Sequence, residues 1–274
     1  MKSVSKKRRG ARLGQHFLTG LWAVRKLAAA VHVHPDETLL EIGPGKGALT
    51  KELLAVGNTV VAVEKDSSLA ELLQQTFSRE IESGTLRIVR GDVRDVEPAK
   101  LGLAKGTYVV AAYIPYYITG EIIRQFLETD AQPRAMALLV QKEVAERIIA
   151  RGGKESILSL SVKAYGAPRI VAKVSRGNFS PLPSVDSAIL LIENISKDFF
   201  ADVDEKTFFK VVRSGFASKR KFLANNLVAL WKGDVRRVLD ECGLPLNSRA
   251  EDLPLATWKK IAQKLLQAPR VRET

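Results

Sequence analysis

The stretch Thr38-Leu-Leu-Glu-Ile-Gly-Pro-Gly-Lys-Gly47 decides the fold. Its first part, Thr38–Ile42, is a short apolar run typical of a buried strand, and the glycines after it turn the chain toward a helix predicted over Ala48–Val56. Thr59–Glu64 and Ser67–Arg79 repeat the same strand–helix order. Because strands that alternate with helices usually pair in parallel, the sequence predicts an α/β fold whose mostly parallel sheet carries helices on both faces.

The alternation continues along the chain and then gives way to helices. Further strands are predicted at Leu86–Arg90, Tyr108–Ile114, Met136–Gln141, Arg169–Ser175 and Ala188–Asn194. Further helices are predicted at Thr119–Thr129, Lys142–Ala150, Glu205–Phe216, Lys219–Leu230, Val235–Cys242 and Leu255–Gln267. We therefore predict a basic disordered arm over 1–12, a sheet domain over 13–196 and a small all-helical C-terminal domain over 197–274.

Composition limits the kinds of partner and site. The 274 residues include 43 Lys and Arg against 30 Asp and Glu, and a net charge of +13 favours a polyanionic partner, although a solvated basic surface is the alternative. A single cysteine, Cys242, excludes an intrachain disulfide, and with only three histidines no metal site is expected. These features fit the reducing cytoplasm. No apolar run reaches the length that would span a membrane, so no membrane partner is expected.

The glycine loop indicates a bound cofactor. Glycines let the backbone turn sharply and let a ligand approach without a side chain in the way. The spacing G-x-G-x-G at Gly43, Gly45 and Gly47 differs from the G-x-G-x-x-G of nicotinamide-binding loops, and an acid, Glu41, precedes it. This pattern resembles the S-adenosylmethionine loop of the class I methyltransferases, whose fold is Rossmann-like. A tight turn without a ligand is the alternative.

Two more carboxylates follow neighbouring strands. Glu64 ends the second predicted strand, where a carboxylate can accept hydrogen bonds from both ribose hydroxyls of a nucleoside. Asp92 follows the third strand and could accept a hydrogen bond from an adenine amino group. Each could instead be an ordinary acid at a strand end or in a turn. Together with the glycine loop they lie at the carboxyl ends of consecutive strands, where open α/β sheets bind ligands.

Several segments resemble one family, the small-subunit ribosomal RNA adenine dimethyltransferases of the KsgA/Dim type. They are GQHFL over 14–18, LEIGPGKGALT over 40–50, IPYYIT over 114–119, FSPLPSVDS over 179–187, FASKRKFLANNL over 216–227 and RAEDL over 249–253. The resemblance implies S-adenosylmethionine-dependent N6-dimethylation of two adjacent adenines in small-subunit rRNA during ribosome biogenesis. It also implies a class I methyltransferase fold with a small helical C-terminal domain. The cofactor-binding residues that it implies are His16, Leu18, Gly43, Gly45, Glu64, Asp92 and Tyr113.

The implied catalytic motif departs from the family pattern at one position. Related enzymes carry Asn-Leu/Ile-Pro-Tyr, in which the Asn side chain and the next carbonyl accept hydrogen bonds from the adenine amine. The proline stiffens the loop, and the tyrosine stacks on the base. Here Ile114, Pro115 and Tyr116 match, but Tyr113 occupies the Asn position. Either the Tyr113 hydroxyl substitutes as acceptor, or activity is weak, or the protein binds its RNA without methylating it.

Two further assignments concern the RNA. By resemblance, Phe179 forms the second face of a base clamp with Tyr116, and a core residue that anchors the proline loop is the alternative. The basic run Ser218–Lys221 is predicted to lie in a helix, where Lys219, Arg220 and Lys221 contact the RNA backbone unless they only form a solvated face.

The expected partner is small-subunit rRNA or a 30S-type pre-ribosomal particle, bound by a monomer. The alternatives are a noncatalytic assembly factor of the same fold and a large-subunit adenine methyltransferase of the antibiotic-resistance type. A dinucleotide-dependent oxidoreductase ranks below them.

Overall fold

The computed structural model describes residues 16–228, 231 and 234–267. Their strands are β1 (Phe17–Leu18), β2 (Thr38–Ile42), β3 (Val60–Glu64), β4 (Leu86–Arg90), β5 (Tyr108–Tyr113), β6 (Ala135–Gln141), β7 (Ala167–Val174), β8 (Phe179–Ser180) and β9 (Ser187–Glu193). Their helices are α1 (Leu21–Ala29), α2 (Ala48–Leu54), α3 (Ser67–Thr76), α4 (Ser78–Glu82), α5 (Thr119–Glu128), α6 (Lys142–Ile148), α7 (Ile157–Tyr165), α8 (Glu205–Gly215), α9 (Leu223–Val228), α10 (Val235–Glu241) and α11 (Leu255–Gln267).

Seven strands form one sheet in the order β4-β3-β2-β5-β6-β9-β7. β2 pairs in parallel with β3 and β5, β3 pairs in parallel with β4, and β5 pairs in parallel with β6. Central strands such as β3 and β5 are almost wholly buried, which explains their continuous runs of Val and Ala. The expected mostly parallel α/β sheet is therefore confirmed.

The register brings the strand ends that carry the candidate site to one edge. Ile42 lies opposite Val63 on one side and Ala112 on the other, and Glu64 lies opposite Arg90. Parallel strands that share a register end at the same edge of their sheet, so the segments after β2, β3, β4 and β5 emerge together.

The structure also contains elements that the sequence analysis did not identify. A two-stranded antiparallel sheet joins β1 to β8, with Phe17 opposite Ser180 and Leu18 opposite Phe179. Helix α7 begins with a capping box in which the hydroxyl of Ser156 accepts from the Ser159 N–H. Such a box supplies partners for the free N–H groups of a first helical turn, so it was a usable signal for this helix.

Contacts within the chain divide it into two compact units. Unit 1 holds the described residues through Ala145 together with Ile170–Leu191, and unit 2 holds Glu146–Arg169 and the described residues from Ile192 onward. Unit 1 contains the core of the sheet. Unit 2 has its own core, in which Tyr165, Phe208 and Phe209 belong to a cluster of touching rings.

The functional division at 196/197 stays a prediction, and the basic arm over 1–12 lies outside the described residues.

One predicted element is wrong. The basic run Ser218–Lys221 does not lie in a helix, because α8 ends at Gly215 and α9 begins only at Leu223. The buried side chain of Asn226 donates its amide to the carbonyl oxygens of Gly215 at 2.6 Å and of Ser218 at 3.0 Å. These bonds satisfy the backbone in a turn, so the basic residues project from a turn and not from a helix face. Residues 229 and 230 of the predicted helix lie outside the described part.

Within the described residues, no helix is both long and apolar enough to cross a membrane. The same residues contain no group of three or more His, Cys, Asp or Glu side chains arranged to hold a metal ion.

Candidate active site

The glycine loop after β2 requires its glycines. Gly47 has a φ of +83°, and a Cβ built there would lie 2.5 Å from Cε2 of Phe77. Gly45 has a φ of +59°, and its Cβ would lie 3.4 Å from the Phe17 ring. Side chains at these positions would be strained by the backbone and crowded by the rings. The loop is therefore a tightly packed backbone turn, in which Gly43 is exposed, Gly45 is partly exposed and Gly47 is buried.

Glu64 anchors this loop. Its side chain is buried, with Oε2 accepting from the Gly45 N–H at 3.0 Å and Oε1 accepting from the Asp66 N–H at 2.8 Å. Each carboxylate oxygen can accept about two hydrogen bonds, so each retains one lone pair for a ligand. The loop and the predicted ribose acceptor are thus one hydrogen-bonded unit.

Asp92 is more heavily engaged than the sequence suggested. Its Oδ1 accepts from the N–H and Nε of Arg94, both at 3.0 Å, and its Oδ2 accepts from Nη2 of Arg94 at 2.6 Å and Nζ of Lys65 at 2.8 Å. The Arg94 guanidinium, with Lys65, holds the pKa of this carboxyl far below its usual range. Asp92 is an ionised acceptor whose two cationic neighbours were missed by the sequence analysis.

Glu41 is a buried acid under the same loop. Its side chain has no exposed surface, and neither carboxylate oxygen has a hydrogen-bond partner among the described residues. Burial raises its pKa to about 8, opposed by the neighbouring Thr50 and reinforced by the nearby charge of Glu64. Glu41 therefore holds a proton at neutral pH. The sequence analysis noted this acid in the motif but assigned it no role.

The segment at β1 covers the glycine loop. The Phe17 ring contacts Gly45, and Nζ of Lys46 lies 4.7 Å from the centre of that ring. Nδ1 of His16 lies 2.8 Å from the carbonyl oxygen of Pro181, and Leu18 is buried in the core. His16 and Leu18 were predicted for the cofactor site. Phe17, between them in the same motif, was missed although its position and type were visible.

The segment after β5 places an aromatic ring where the related enzymes carry an amide. The partly buried Tyr113 ring lies 6.4 Å from Tyr116 and 5.5 Å from Phe179, measured between ring centres. Its carbonyl oxygen would be 3.4 Å from a Cβ at Gly43, so the residue borders the glycine loop. Burial and the neighbouring Tyr116 raise the pKa of Tyr113 well above its usual range, so its hydroxyl stays neutral. Tyr113 touches both members of the predicted base clamp.

The two members of that clamp differ in exposure. Tyr116 is partly exposed, and its hydroxyl is 2.8 Å from Oγ of Ser187, which fixes the ring on its polar side. Phe179 is 4 % exposed and belongs to the core around β8. Between Tyr113 and Tyr116, Ile114 is fully buried, whereas Pro115 is exposed. The Tyr116 ring is therefore partly open to solvent, whereas the buried Phe179 ring packs against Tyr113.

The site of unit 1 therefore combines a glycine turn, the buried carboxylate of Glu64, the ionised carboxylate of Asp92 and a pair of tyrosines at one sheet edge. A model of the ribosomal RNA adenine dimethylase family matches residues 5–267 of the chain. The chain belongs to the ribosomal RNA adenine dimethylase family. The fold is accordingly that of a class I methyltransferase.

Individual relatives agree with this membership of the ribosomal RNA adenine dimethylase family. A protein of Dehalococcoides mccartyi strain CBDB1 named ribosomal RNA small subunit methyltransferase A is 39% identical over 91% of this chain and 86% of its own length. Among solved structures, a dimethyladenosine transferase from Plasmodium falciparum has a TM-score of 0.75 at 22% identity, covering 92% of this chain and 98% of its own. The 23S rRNA methyltransferase ErmE has a TM-score of 0.74 at 24% identity, covering 92% of this chain and all of its own. These two structures support the fold.

Unit 2 carries the predicted RNA-binding residues on the turn before α9. Nη1 of Arg249 donates to the Lys219 carbonyl oxygen at 3.3 Å, and its guanidinium lies 5.8 Å from the centre of the half-exposed Phe222 ring. Across the described ranges, no acidic side chain forms an ion pair with Lys219, Arg220, Lys221 or Arg249. Arg249 contacts this basic turn (residues 218–222). Its RAEDL motif was noted in the sequence, but the contact was not predicted.

Proposed function

We propose that this chain transfers methyl groups from S-adenosylmethionine to N6 of two adjacent adenines in small-subunit rRNA during ribosome biogenesis. The observation that carries the proposal is the meeting of the glycine loop, Glu64, Asp92 and the Ile114–Tyr116 loop at one edge of the sheet. Family membership supports the reaction. The name of the 39% identical relative supports the small subunit as the source of the RNA.

The residues at this edge fit the proposed cofactor. The remaining lone pairs on Glu64 can accept the two ribose hydroxyls. Asp92 already accepts four hydrogen bonds, so the adenine amino group would replace the exposed Lys65 as a donor to Oδ2. Gly43 and Gly45 leave room for the methionine part, with His16 and Leu18 on the β1 side. When bound, S-adenosylmethionine supplies an electrophilic methyl group on its sulfonium.

The protein's part in the transfer is to orient and polarise the target amine. An exocyclic adenine amine is a poor nucleophile because its lone pair is delocalised into the ring. Carbonyl and hydroxyl oxygens that accept hydrogen bonds from the amine localise that lone pair. Acceptors positioned in this way lower the activation free energy by several kcal/mol. We assign this role to the Ile114 carbonyl and to the neutral Tyr113 hydroxyl, with Tyr116 stacking on the base and Phe179 behind Tyr113.

A second proposed contact with the RNA lies on the basic turn of unit 2. Lys219, Arg220 and Lys221 on the basic turn, which form no ion pair with an acid of the described residues, are proposed to contact RNA phosphates, which positions the RNA without choosing the sequence. The partner is small-subunit rRNA within a 30S-type pre-ribosomal particle, bound by a monomer in the cytoplasm. The single cysteine of the chain supports that reducing compartment.

The test is transfer of tritium from labelled S-adenosylmethionine to purified small subunits that lack the modification. We expect incorporation with wild-type protein and none above background with Tyr116→Ala, while Tyr116→Phe keeps the ring and most of the activity. Cofactor binding measured by calorimetry should be equal in the three proteins. Absence of incorporation by a wild-type protein that binds the cofactor would overturn the proposal.

A second candidate function, RNA binding without methyl transfer, is favoured by one observation. The Tyr113 ring touches both Tyr116 and Phe179, where a base would have to enter. Tyr113→Asn and Tyr113→Phe separate the two candidates. If Tyr113 is an adapted acceptor, Tyr113→Phe lowers kcat about tenfold, as the loss of one hydrogen bond predicts, and Tyr113→Asn brings no large gain. A large gain with Tyr113→Asn would mean that the tyrosine obstructs the site.

A further inference from the structure

Helix α1 presents an exposed aromatic side chain beside the candidate site. Its buried face consists of Ala23, Val24, Leu27 and Ala28, which follows the helical repeat and packs on unit 1. On the opposite side Trp22 is 50 % exposed. A single exposed apolar side chain is ordinary on a protein surface. Trp22 differs because a hydrogen bond holds its indole in a fixed orientation.

The indole is fixed by the residue that precedes Phe179. Nε1 of Trp22 donates to Oδ1 of Asn178 at 2.9 Å. The backbone N–H groups of Thr19 and Gly20 donate to the Asn178 carbonyl oxygen at 2.8 and 3.1 Å. A Cβ on Gly20 would lie 2.1 Å from Oδ1 of Asn178, so this clasp tolerates no side chain there. The indole therefore keeps a constant position relative to the segment that carries Phe179.

Cations lie on the same helix face as this indole and near its Asn178 partner in sequence. Arg25 and Lys26 stand three and four residues along α1, which places them on the same exposed face as Trp22. Arg25 pairs loosely with Glu52 at 3.4 Å, while in the described part of the chain no acid forms an ion pair with Lys26 or with the exposed Arg176. An oriented aromatic face with cations beside it is the arrangement that binds single-stranded nucleic acid, where bases stack and phosphates are neutralised.

We propose that Trp22, with Lys26 and Arg176, forms a stacking platform for an unpaired nucleotide next to the target adenine. A continuous path links the platform to the site, because Trp22 bonds Asn178, Asn178 precedes Phe179, and the Phe179 ring contacts Tyr113. A nucleotide stacked on Trp22 fixes the strand while its neighbour enters the site. This platform rests on the proposed function for its biological substrate, but its affinity for single-stranded RNA can be measured without methyl transfer.

The first experiment measures stacking directly on the full-length protein. A single-stranded, adenine-rich RNA of about eight nucleotides is titrated while tryptophan fluorescence is recorded. We expect the RNA to quench the emission of wild-type protein much more than that of Trp22→Phe, in which the buried Trp258 and the partly buried Trp231 are the remaining indoles. Equal quenching in wild type and Trp22→Phe would overturn the platform, whether or not the protein is a methyltransferase.

The second experiment measures its effect on turnover with undermethylated small subunits. Stacking of one base predicts that Trp22→Ala raises KM for the subunits by roughly 5- to 150-fold, while kcat and the Kd for S-adenosylmethionine stay unchanged. Trp22→Phe should recover most of the loss. Leu72→Ala, which truncates a similarly exposed side chain on α3, is the matched control and should leave KM unchanged. An unchanged KM in Trp22→Ala would overturn the platform while leaving the proposed function intact.

A third variant tests the charge. Lys26→Gln should weaken binding of the same RNA and reduce the slope of log affinity against log salt by about 0.7, the value for one phosphate contact on a single strand. An unchanged slope would remove Lys26 from the platform.

Discussion

The substitution Glu41→Gln tests the buried acid beneath the glycine loop. Glu41 is fully buried, has no hydrogen-bond partner among the described residues, and burial raises its pKa from 4.5 to about 8. A group whose folded-state pKa is raised contributes stability that is fully present below the unfolded-state pKa and is lost as pH rises through the folded-state pKa. The wild-type protein should therefore lose unfolding free energy between pH 4.5 and 8, about 1.4 kcal/mol per pH unit and at most about 5 kcal/mol in all.

The neutral glutamine has nearly the same shape as the protonated acid but cannot ionise. At pH 5 the variant and wild type should have similar unfolding free energies, because both carry a neutral buried side chain there. By pH 8 the variant should be the more stable protein by a few kcal/mol. Urea unfolding followed by circular dichroism at pH 5, 6, 7, 8 and 9 measures the difference.

A matched substitution at Glu37, the residue immediately before β2, should behave in the opposite way. Glu37 is also buried, but Nη2 of Arg134 and the His34 N–H both donate to its Oε2 at 2.8 Å. Although burial works against its charge, the Arg134 and His34 hydrogen bonds hold its pKa below the usual value. Its stability contribution is present above the unfolded-state pKa, so Glu37→Gln should destabilise by about 1–3 kcal/mol across pH 5–9. A Glu41→Gln effect that does not vary with pH would refute the argument for a protonated Glu41.

Three further predictions concern the loop, the cofactor and the RNA. Gly47→Ala should lower the unfolding free energy in urea by more than about 1 kcal/mol, because its Cβ would meet the Phe77 ring. Gly57 has a similar positive φ but open space around it, so Gly57→Ala should lower the unfolding free energy less. Equal losses in the two variants would contradict the crowding at Gly47. Glu64→Gln should raise the Kd for S-adenosylmethionine, measured by calorimetry, about 10- to 100-fold, because charged hydrogen bonds to the ribose and from the Gly45 N–H are lost. An unchanged Kd would mean that Glu64 does not bind the ribose. Lys221→Gln should weaken binding of folded rRNA and make it less dependent on salt, while Lys105→Gln, an exposed lysine in unit 1, serves as control.

Much of the sheet could be predicted because its signals are local. β2 and β4 begin and end where the apolar runs do, and α11 has the predicted bounds. The single helix predicted over Ser67–Arg79 is divided at Phe77, whose backbone leaves the helical region, and no residue there marks a break. Local patterns set element type well, while ends depend on tertiary packing.

The remaining features depend on contacts between segments distant in sequence. The pairing of β1 with β8 joins residues more than 160 positions apart, and nothing in either short segment specifies its partner. The helix predicted through Lys219–Lys221 failed because Asn226 bonds the carbonyl oxygens of Gly215 and Ser218. In the site, the glycines and Glu64 were predictable from spacing, but the engagement of Asp92 by Arg94 and the contact of Tyr113 with Phe179 were not.

Identification of the product nucleoside tests the proposed adenine dimethylation most directly. Undermethylated small subunits are incubated with the wild-type protein and S-adenosylmethionine, their rRNA is digested to nucleosides, and the digest is analysed by mass spectrometry. We expect N6,N6-dimethyladenosine, derived from two adjacent adenines of the small-subunit rRNA and absent when the protein carries Tyr116→Ala. Methylated adenosine found only in large-subunit rRNA, or no methylated adenosine despite measured cofactor binding, would contradict it.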